Sequence, residues 1–228
     1  MALENVQHRL ELYSAGVLAS APADWRKALP VLRGHGVTLR QLDLSDAPSL
    51  LKNLASREVA RFLAPPPDTV EGFERFIAWT HRQREPGRHL CFGVVPEGHR
   101  SAVGVFQIWP LQLDFGIAEW GFVLGSPFWG TGVFAEGARV FLDLAFDTLG
   151  VYRLEGRAAA LNRRGNGALR KMGAVPECTL RKCFVCSGNA QDHIMWSILR
   201  DDRIAMPDVS EARIRRSEDQ AQRGQREL

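Results

Sequence analysis

Short apolar segments, separated by glycine, proline and charged clusters, divide residues 37–199 into strand-like and helix-like stretches. Val37–Leu42 reads as an opening strand. Ser45 and Asp46 stand where they can cap a helix, with Pro48 in its first turn. Pro65-Pro66-Pro67 breaks the chain. Thr69 then caps a longer helix whose apolar positions are Phe73, Phe76, Ile77 and Trp79, and Pro86-Gly87 ends it. His89–Pro96 and Ala102–Trp109 read as two strands around the hairpin signal Glu97-Gly98-His99-Arg100. Ile117–Leu124 predicts a central strand, Ala135–Thr148 a helix and Tyr152–Leu161 a further strand. A short basic helix follows Asn162 and stops at Gly173. Residues 180–186 and 192–199 predict a final hairpin around Ser187-Gly188-Asn189-Ala190. The order β-α-α-β-β-β-α-β-α-β-β predicts an α/β (α+β) fold, with a single mixed, mostly antiparallel sheet flanked by helices.

The ends differ in character. Leu3, Val6 and Leu10 have helical spacing, but Ala/Pro-rich sequence follows, so residues 1–30 are expected to form an extension, either a docking helix or a partly disordered arm. Residues 201–228 are polar with both signs of charge, the composition of a disordered tail. Residues 31–200 then form the one domain.

Within it, Trp129-Gly130-Thr131-Gly132-Val133-Phe134-Ala135-Glu136 lies between a predicted strand and a predicted helix. Such a turn leaves backbone N–H groups unpaired at the positive end of a helix dipole. Gly130 and Gly132 let a ligand approach that backbone closely. A phosphate or pyrophosphate suits the site. A Gly-x-Gly turn is often only a tight turn, and this one fits neither common nucleotide motif. It lacks the Gly-Lys-Ser/Thr ending of a P-loop. It also lacks the third glycine and the downstream acid of a dinucleotide fingerprint.

The second segment narrows the choice. Asn162-Arg163-Arg164-Gly165-Asn166-Gly167-Ala168-Leu169-Arg170-Lys171-Met172-Gly173-Ala174 follows a predicted strand. Together with the glycine turn, with Leu39-Arg40, with Glu119-Trp120-Gly121-Phe122 and with the ending Asp192–Leu199, it resembles the GNAT superfamily of acyl-CoA-dependent N-acetyltransferases, closest to the RimJ/RimL-type branch. The resemblance spans roughly Val31 to Leu199. It implies that the strands at 115–124 and 152–161 splay apart. It implies acetyl-CoA as co-substrate, with its pantetheine arm against the backbone of Phe122, Val123 and Leu124. Its pyrophosphate would lie on Trp129, Gly130, Thr131, Gly132, Val133, Phe134 and Ala135, and Asn162 and Gly165 would contact the arm. Trp129 and Phe134 depart from the family's Gln/Arg and small residue, and Phe134 must turn into the core to leave the cofactor room. Gly165 stands where many of this branch have Ser, and Leu169 where other branches have a Tyr acid. The tyrosines, Tyr13 and Tyr152, match no such position, so no general acid is identified.

Acyl transfer to an amine needs a neutral nitrogen and a donor for the developing oxyanion. Glu119 is the base candidate, because a carboxylate among apolar strand neighbours has its pKa raised. The alternative is a structural Glu paired with an arginine such as Arg157. Asp114 and His35 are weaker candidates. Asn162 either meets the cofactor or caps the next helix, and both roles can hold together. Arg163 and Arg164 either meet phosphates or solvate the helix start, with solvation favoured. Trp79, Trp109, Trp120, Phe106 and Phe115 either line an acceptor cleft or belong to the core, which is the commoner fate of aromatics.

Composition sets outer bounds. The chain has 228 residues, 45% of them hydrophobic, and a formal net charge of +3. That charge is too mild to argue for nucleic-acid binding, and no apolar run approaches a membrane span. Residues 17–23 mimic a cleavage site, but Glu4 and Glu11 and the lack of a long apolar core argue against a signal peptide, so a cytoplasmic location is expected. Cys178, Cys183, Cys186 and His193 raise a zinc site, yet residues three apart on a strand face opposite sides, so no metal is expected. The acceptor is an amine, either a protein N-terminus or a small molecule. A homodimer is left open, and a non-catalytic acyl-CoA-binding module is the alternative function.

Overall fold

The structure is a computed structural model that describes residues 25–112, 115–186 and 189–204. One eight-stranded sheet runs through it in the order β1-β2-β3-β4-β5-β6-β8-β7. The strands are β1 (Leu32–Gly34), β2 (Val37–Gln41), β3 (Leu90–Pro96), β4 (Gly104–Pro110), β5 (Ile117–Leu124), β6 (Arg153–Ala159), β7 (Val175–Cys186) and β8 (Asn189–Leu199). The β5–β6 pair is parallel and every other pair is antiparallel. The helices are α1 (Ala47–Leu54), α2 (Arg57–Ala60), α3 (Val70–Arg84), α4 (Val133–Asp143), α5 (Arg163–Lys171) and α6 (Arg200–Ile204). The mixed, mostly antiparallel sheet expected from the sequence is the one observed.

Strand alternation sends side chains to two apolar layers. Phe92, Phe106, Trp120, Leu154 and Trp196 pack with Phe141 of α4 and Leu169 of α5 on one face. Cys91 and Val105 pack with Leu50 of α1 and with Phe73 and Ile77 of α3 on the other. Helix α3 forms because Phe73, Ile77 and Thr80 repeat at helical spacing, and Thr69 Oγ1 accepts from the Gly72 N–H at 3.0 Å to cap it. Helix α4 widens into one π-helical turn over Leu144–Thr148.

Several local expectations shift. Residues 32–34 form a short edge strand that no alternation announces, turning through Gly36 at φ 69°. Helix α4 starts at Val133 rather than Ala135, and β7 starts at Val175 rather than residue 180. Ser45 and Asp46 do not cap α1. Asp43 caps a 3-10 turn over Leu44–Asp46, accepting from Ser45 N–H at 2.8 Å. Asp46 is fully buried and accepts from both terminal nitrogens of Arg40 at 2.7 and 2.8 Å, and from the N–H groups of Asp43 and Ala102, each at 2.8 Å. It joins β2, the turn before α1 and the β3–β4 hairpin.

Residues 25–30, assigned to the extension from sequence, carry packed side chains. The Trp25 ring meets Phe115 edge-on at 5.6 Å, and Leu29 is buried. The helical spacing at Leu3–Leu10, Tyr13, Asp114 and the polar tail beyond residue 204 lie outside the described residues. Among the described residues, no helix is long and apolar enough to cross a membrane.

Candidate functional site

Strands β5 and β6 pair at Ile117↔Arg153, Ala118↔Leu154, Glu119↔Glu155 and Trp120↔Gly156, and the pairing stops there. On its other side β5 stays paired with β4 as far as Leu124. The two central strands therefore splay. The backbone of Gly121–Leu124 loses its β6 partner, a gap that a buried sheet tolerates only where something else satisfies those groups.

A cleft of about 410 Å³ opens at the splay. Trp120, Gly121, Phe122 and Val123 line it from β5, and Gly156, Arg157, Ala158 and Ala159 from β6. Asn162, Gly165 and Leu169 close it on the α5 side. Phe62–Pro67, Phe73 and Phe76 form its wall on the opposite face of the sheet. The cleft thus passes through the sheet between the two layers. Glu119 is not among its lining residues. It lies two positions before Gly121 on the same face of β5.

The glycine turn leads directly into α4 with left-handed glycines at both ends of Thr131. Gly130 and Gly132 hold φ of 77° and 92°, and a Cβ added at either would meet nothing within 4 Å. Gly132 is the N-cap of α4 and no side chain caps that helix. The helical ladder opens with the Glu136 N–H donating to Gly132 O at 3.1 Å, so the N–H groups of Val133, Phe134 and Ala135 come before it. Thr131 Oγ1 donates to Phe128 O at 2.8 Å, which tightens the turn. Phe134 does turn inward, its ring lying 4.6 Å from Phe122 and 5.7 Å from Phe106.

Two groups are more occupied than the sequence suggests. Trp129 Nε1 donates to the Leu124 carbonyl at 2.7 Å, which takes one lone pair of a group expected to be open. Arg164 does not merely solvate the helix start. Its guanidinium lies 4.3 Å from the Trp129 ring centre, a cation–π contact that links α5 to the glycine turn across the splay.

Asn162 caps α5, its Oδ1 accepting from Gly165 N–H at 2.9 Å. A Cβ at Gly165 would come within 2.6 Å of Asn162 Nδ2, so Gly at 165 leaves room for this orientation of Asn162. Sequence reasoning missed Asn166. It is buried, donates from Nδ2 to Ala159 O and Asn162 O, each at 2.9 Å, and accepts from Trp196 Nε1 at 2.9 Å. It fixes the end of β6, the start of α5 and β8 together. Its spacing of four from Asn162 was the available signal.

Glu119 and Arg157 do meet, with Arg157 Nε 3.6 Å from Glu119 Oε1. Burial raises the Glu119 pKa, Arg157 lowers it and Glu155 raises it, and the net direction is upward. A dominant structural ion pair would push it down. Desolvation therefore outweighs the arginine. Glu155 is engaged elsewhere, accepting from Arg153 Nε at 2.8 Å. Arg153 also forms a two-pronged contact with Glu177, at 2.7 and 2.6 Å, and holds that carboxyl down at about 2.

Of the aromatics, Trp120, Phe106 and Phe115 are core. Trp79 and Trp109 flank His89 at ring distances of 4.9 and 6.0 Å, beside Gln107, which lines the cleft. His35 is exposed in the β1–β2 turn at the sheet edge and joins no site. Cys178 is exposed opposite Met195, and Cys183 is exposed where β7 loses register between Leu180 and Phe184. The His193 ring lies 4.9 Å from the Phe184 ring, tilted by 37°. Among the described residues, no three potential ligands cluster as a metal site would need.

Residues 37–175 match the family model described as Acetyltransferase (GNAT) domain. Among curated proteins, the chain is 25% identical over 165 residues to an uncharacterized N-acetyltransferase, p20, of Bacillus licheniformis, covering 72% of this chain and 93% of that one. Among solved structures it is similar to the ribosomal-protein-S5-alanine acetyltransferase of Vibrio fischeri, with 20% identity, 76% and 98% coverage and a TM-score of 0.68. It is also similar to Mycobacterium smegmatis RimJ in complex with CoA-disulfide, with 19% identity, 76% and 87% coverage and a TM-score of 0.68.

Proposed function

The chain belongs to the GNAT acetyltransferases, and we propose that it moves the acetyl group of acetyl-CoA directly to a primary amine, of a protein N-terminus or a small molecule, in a ternary complex. The observation that carries this is the end of β5–β6 pairing at Trp120↔Gly156, beside a glycine turn with free helix N–H groups.

The residues divide the work. The N–H groups of Val133, Phe134 and Ala135, with Gly130 and Gly132 leaving room, hold the diphosphate. The open backbone edge of Phe122–Leu124 pairs with the amides of the pantetheine arm, as a missing strand would. Asn162 Nδ2 faces the same arm while Oδ1 keeps its cap. When bound, acetyl-CoA supplies a thioester carbonyl; the amine nitrogen attacks it, the C–S bond breaks and coenzyme A leaves as thiolate. Glu119, directly or through a water, takes the proton that the attacking nitrogen must lose. An N–H on the open β5 edge faces the developing oxyanion. Solvent protonates the thiolate, which is a stable enough leaving group to need no dedicated acid.

The cofactor assignment is tested at Thr131, because substitution at Gly130 or Gly132 would add left-handed strain to any charge effect. Thr131→Glu places a carboxylate beside the diphosphate. A loss of about 1.4 kcal/mol there weakens CoA binding about tenfold. Calorimetry should show that loss for CoA and little change for acetyl-pantetheine, which lacks the diphosphate. Equal affinity of both proteins for CoA would place the diphosphate elsewhere.

A further inference from the structure

We infer that the acceptor is an α-amino acid with an apolar side chain, bound with its ammonium toward Glu119 and its carboxylate on Arg157. The inference rests on the acetyltransferase reading and specifies its second substrate.

Three observations meet at one place. First, no carboxylate is present among the described residues lining the cleft, and Arg157 is the only arginine or lysine. The lining thus offers a polycationic amine no second carboxylate for its further charges. Second, Arg157 and Glu119 sit side by side on one face of the sheet, as opposite charges 3.6 Å apart. That separation is too long for a strong hydrogen bond, so neither group is locked to the other. Arg157 keeps 40% of its side chain exposed, and among the described residues no other ion pair engages it. An α-amino acid carries an ammonium and a carboxylate on one carbon. Its two charges match the neighbouring carboxylate and guanidinium with opposite signs, and a guanidinium binds a carboxylate through two parallel N–H groups.

Third, the cleft that Arg157 lines has an apolar wall: Phe62, Leu63, Pro66 and Phe76 line it as well. A side chain on the α-carbon would be buried there. Burying a leucine- or phenylalanine-sized group there favours binding through the hydrophobic effect. The transfer leaves an N-acetyl amino acid and coenzyme A. It removes the ammonium charge, so the product loses its attraction to Glu119 while Arg157 still holds the carboxylate.

The experiment measures acetyl-CoA turnover by thiol release on the full chain, with L-leucine, L-phenylalanine, their amides, spermidine and a leucine-initiated peptide as acceptors. The amino acids should exceed their amides by about tenfold or more in kcat/KM. Arg157→Gln should bring that ratio close to unity. The ratio is the informative quantity, because any disturbance of Glu119 by the substitution lowers acid and amide together. Amides, spermidine or the peptide serving as well as the amino acids would overturn the inference, and so would an unchanged ratio in Arg157→Gln. Calorimetry with acetyl-CoA separates the two levels. Binding without turnover of leucine or phenylalanine sinks the acceptor assignment alone, whereas no binding sinks the acetyltransferase site with it.

Discussion

Glu119→Gln is expected to lower kcat by about 10²–10⁴, the usual cost of losing a general base, while acetyl-CoA affinity stays within a few-fold. Gln keeps the shape of the side chain but cannot accept a proton. The cofactor contacts assigned here belong to the backbone of neighbouring residues and to the glycine turn, so they survive. The pH profile carries a second sign. The Glu119 pKa is raised by burial, with Arg157 opposing and Glu155 adding to the shift. The acidic limb of kcat/KM should therefore lie upward of an ordinary carboxylate's, and that limb should vanish in the variant. Stability gives a third sign. A carboxylate with a raised folded pKa binds more protons when folded, so its ionisation weakens the fold as pH rises through that window. Glu119→Gln should be at least as heat-stable as the parent at pH 7. A variant that melts earlier and keeps near-parental turnover per folded molecule would return Glu119 to a structural role beside Arg157.

The largest effect on stability is expected far from the cleft. Asp46→Ala should cost about 3–5 kcal/mol, the usual price of breaking a buried ion pair by removing one partner. The carboxylate is fully buried, receives both terminal nitrogens of Arg40 and caps two backbone N–H groups. Removing it strands the N–H groups of Asp43 and Ala102 and leaves the Arg40 guanidinium without its counter-charge, with only the carbonyls of Gln41 and Arg100. For a domain of this size that corresponds to about 6–20 °C in Tm. Arg139→Ala is the contrast. Its contacts to Asp143 at 3.4 Å and Glu136 at 3.6 Å are surface ion pairs on one helix, worth under about 1 kcal/mol. The pH dependence follows the same bonds. Burial raises the Asp46 pKa, but the hydrogen bonds from Arg40, Asp43 and Ala102 overcome it and the net direction is downward. The stabilisation is therefore complete above the unfolded carboxylate pKa of about 3.9 and is lost as pH falls through the lower folded value. Denaturant unfolding of both variants at neutral and acidic pH checks the assignment. A loss in Asp46→Ala no larger than in Arg139→Ala would contradict it.

Local sequence carried the elements and the glycine turn well, because both depend on short-range chemistry. The alternation in Ile117–Leu124, the Pro86-Gly87 stop and the positive-φ glycines at 130 and 132 are readable in a window of a few residues. What escaped depends on partners distant in sequence. Asp46 looks like a helix cap until Arg40 and Ala102 are placed around it. Asn166 looks like a polar residue on a basic helix until Trp196 arrives from β8, thirty residues on. Arg164 looks solvated until the splay brings Trp129 beneath it. The Glu119–Arg157 contact was named as an alternative from strand adjacency, yet its balance with desolvation needed the burial that only the fold supplies. The edge strand at 32–34 is too short to show a period.

The central claim is that the β5–β6 splay is where acetyl transfer happens, and a crystal structure of the chain with coenzyme A tests it most directly. The diphosphate should lie on the N–H groups of Val133, Phe134 and Ala135. The pantetheine arm should pair with Phe122–Leu124. The sulfur should sit just beyond the last paired residues, Trp120 and Gly156, within one water of Glu119. Coenzyme A bound outside the splay, or with its sulfur at the far end of the gap from Glu119, would contradict the account.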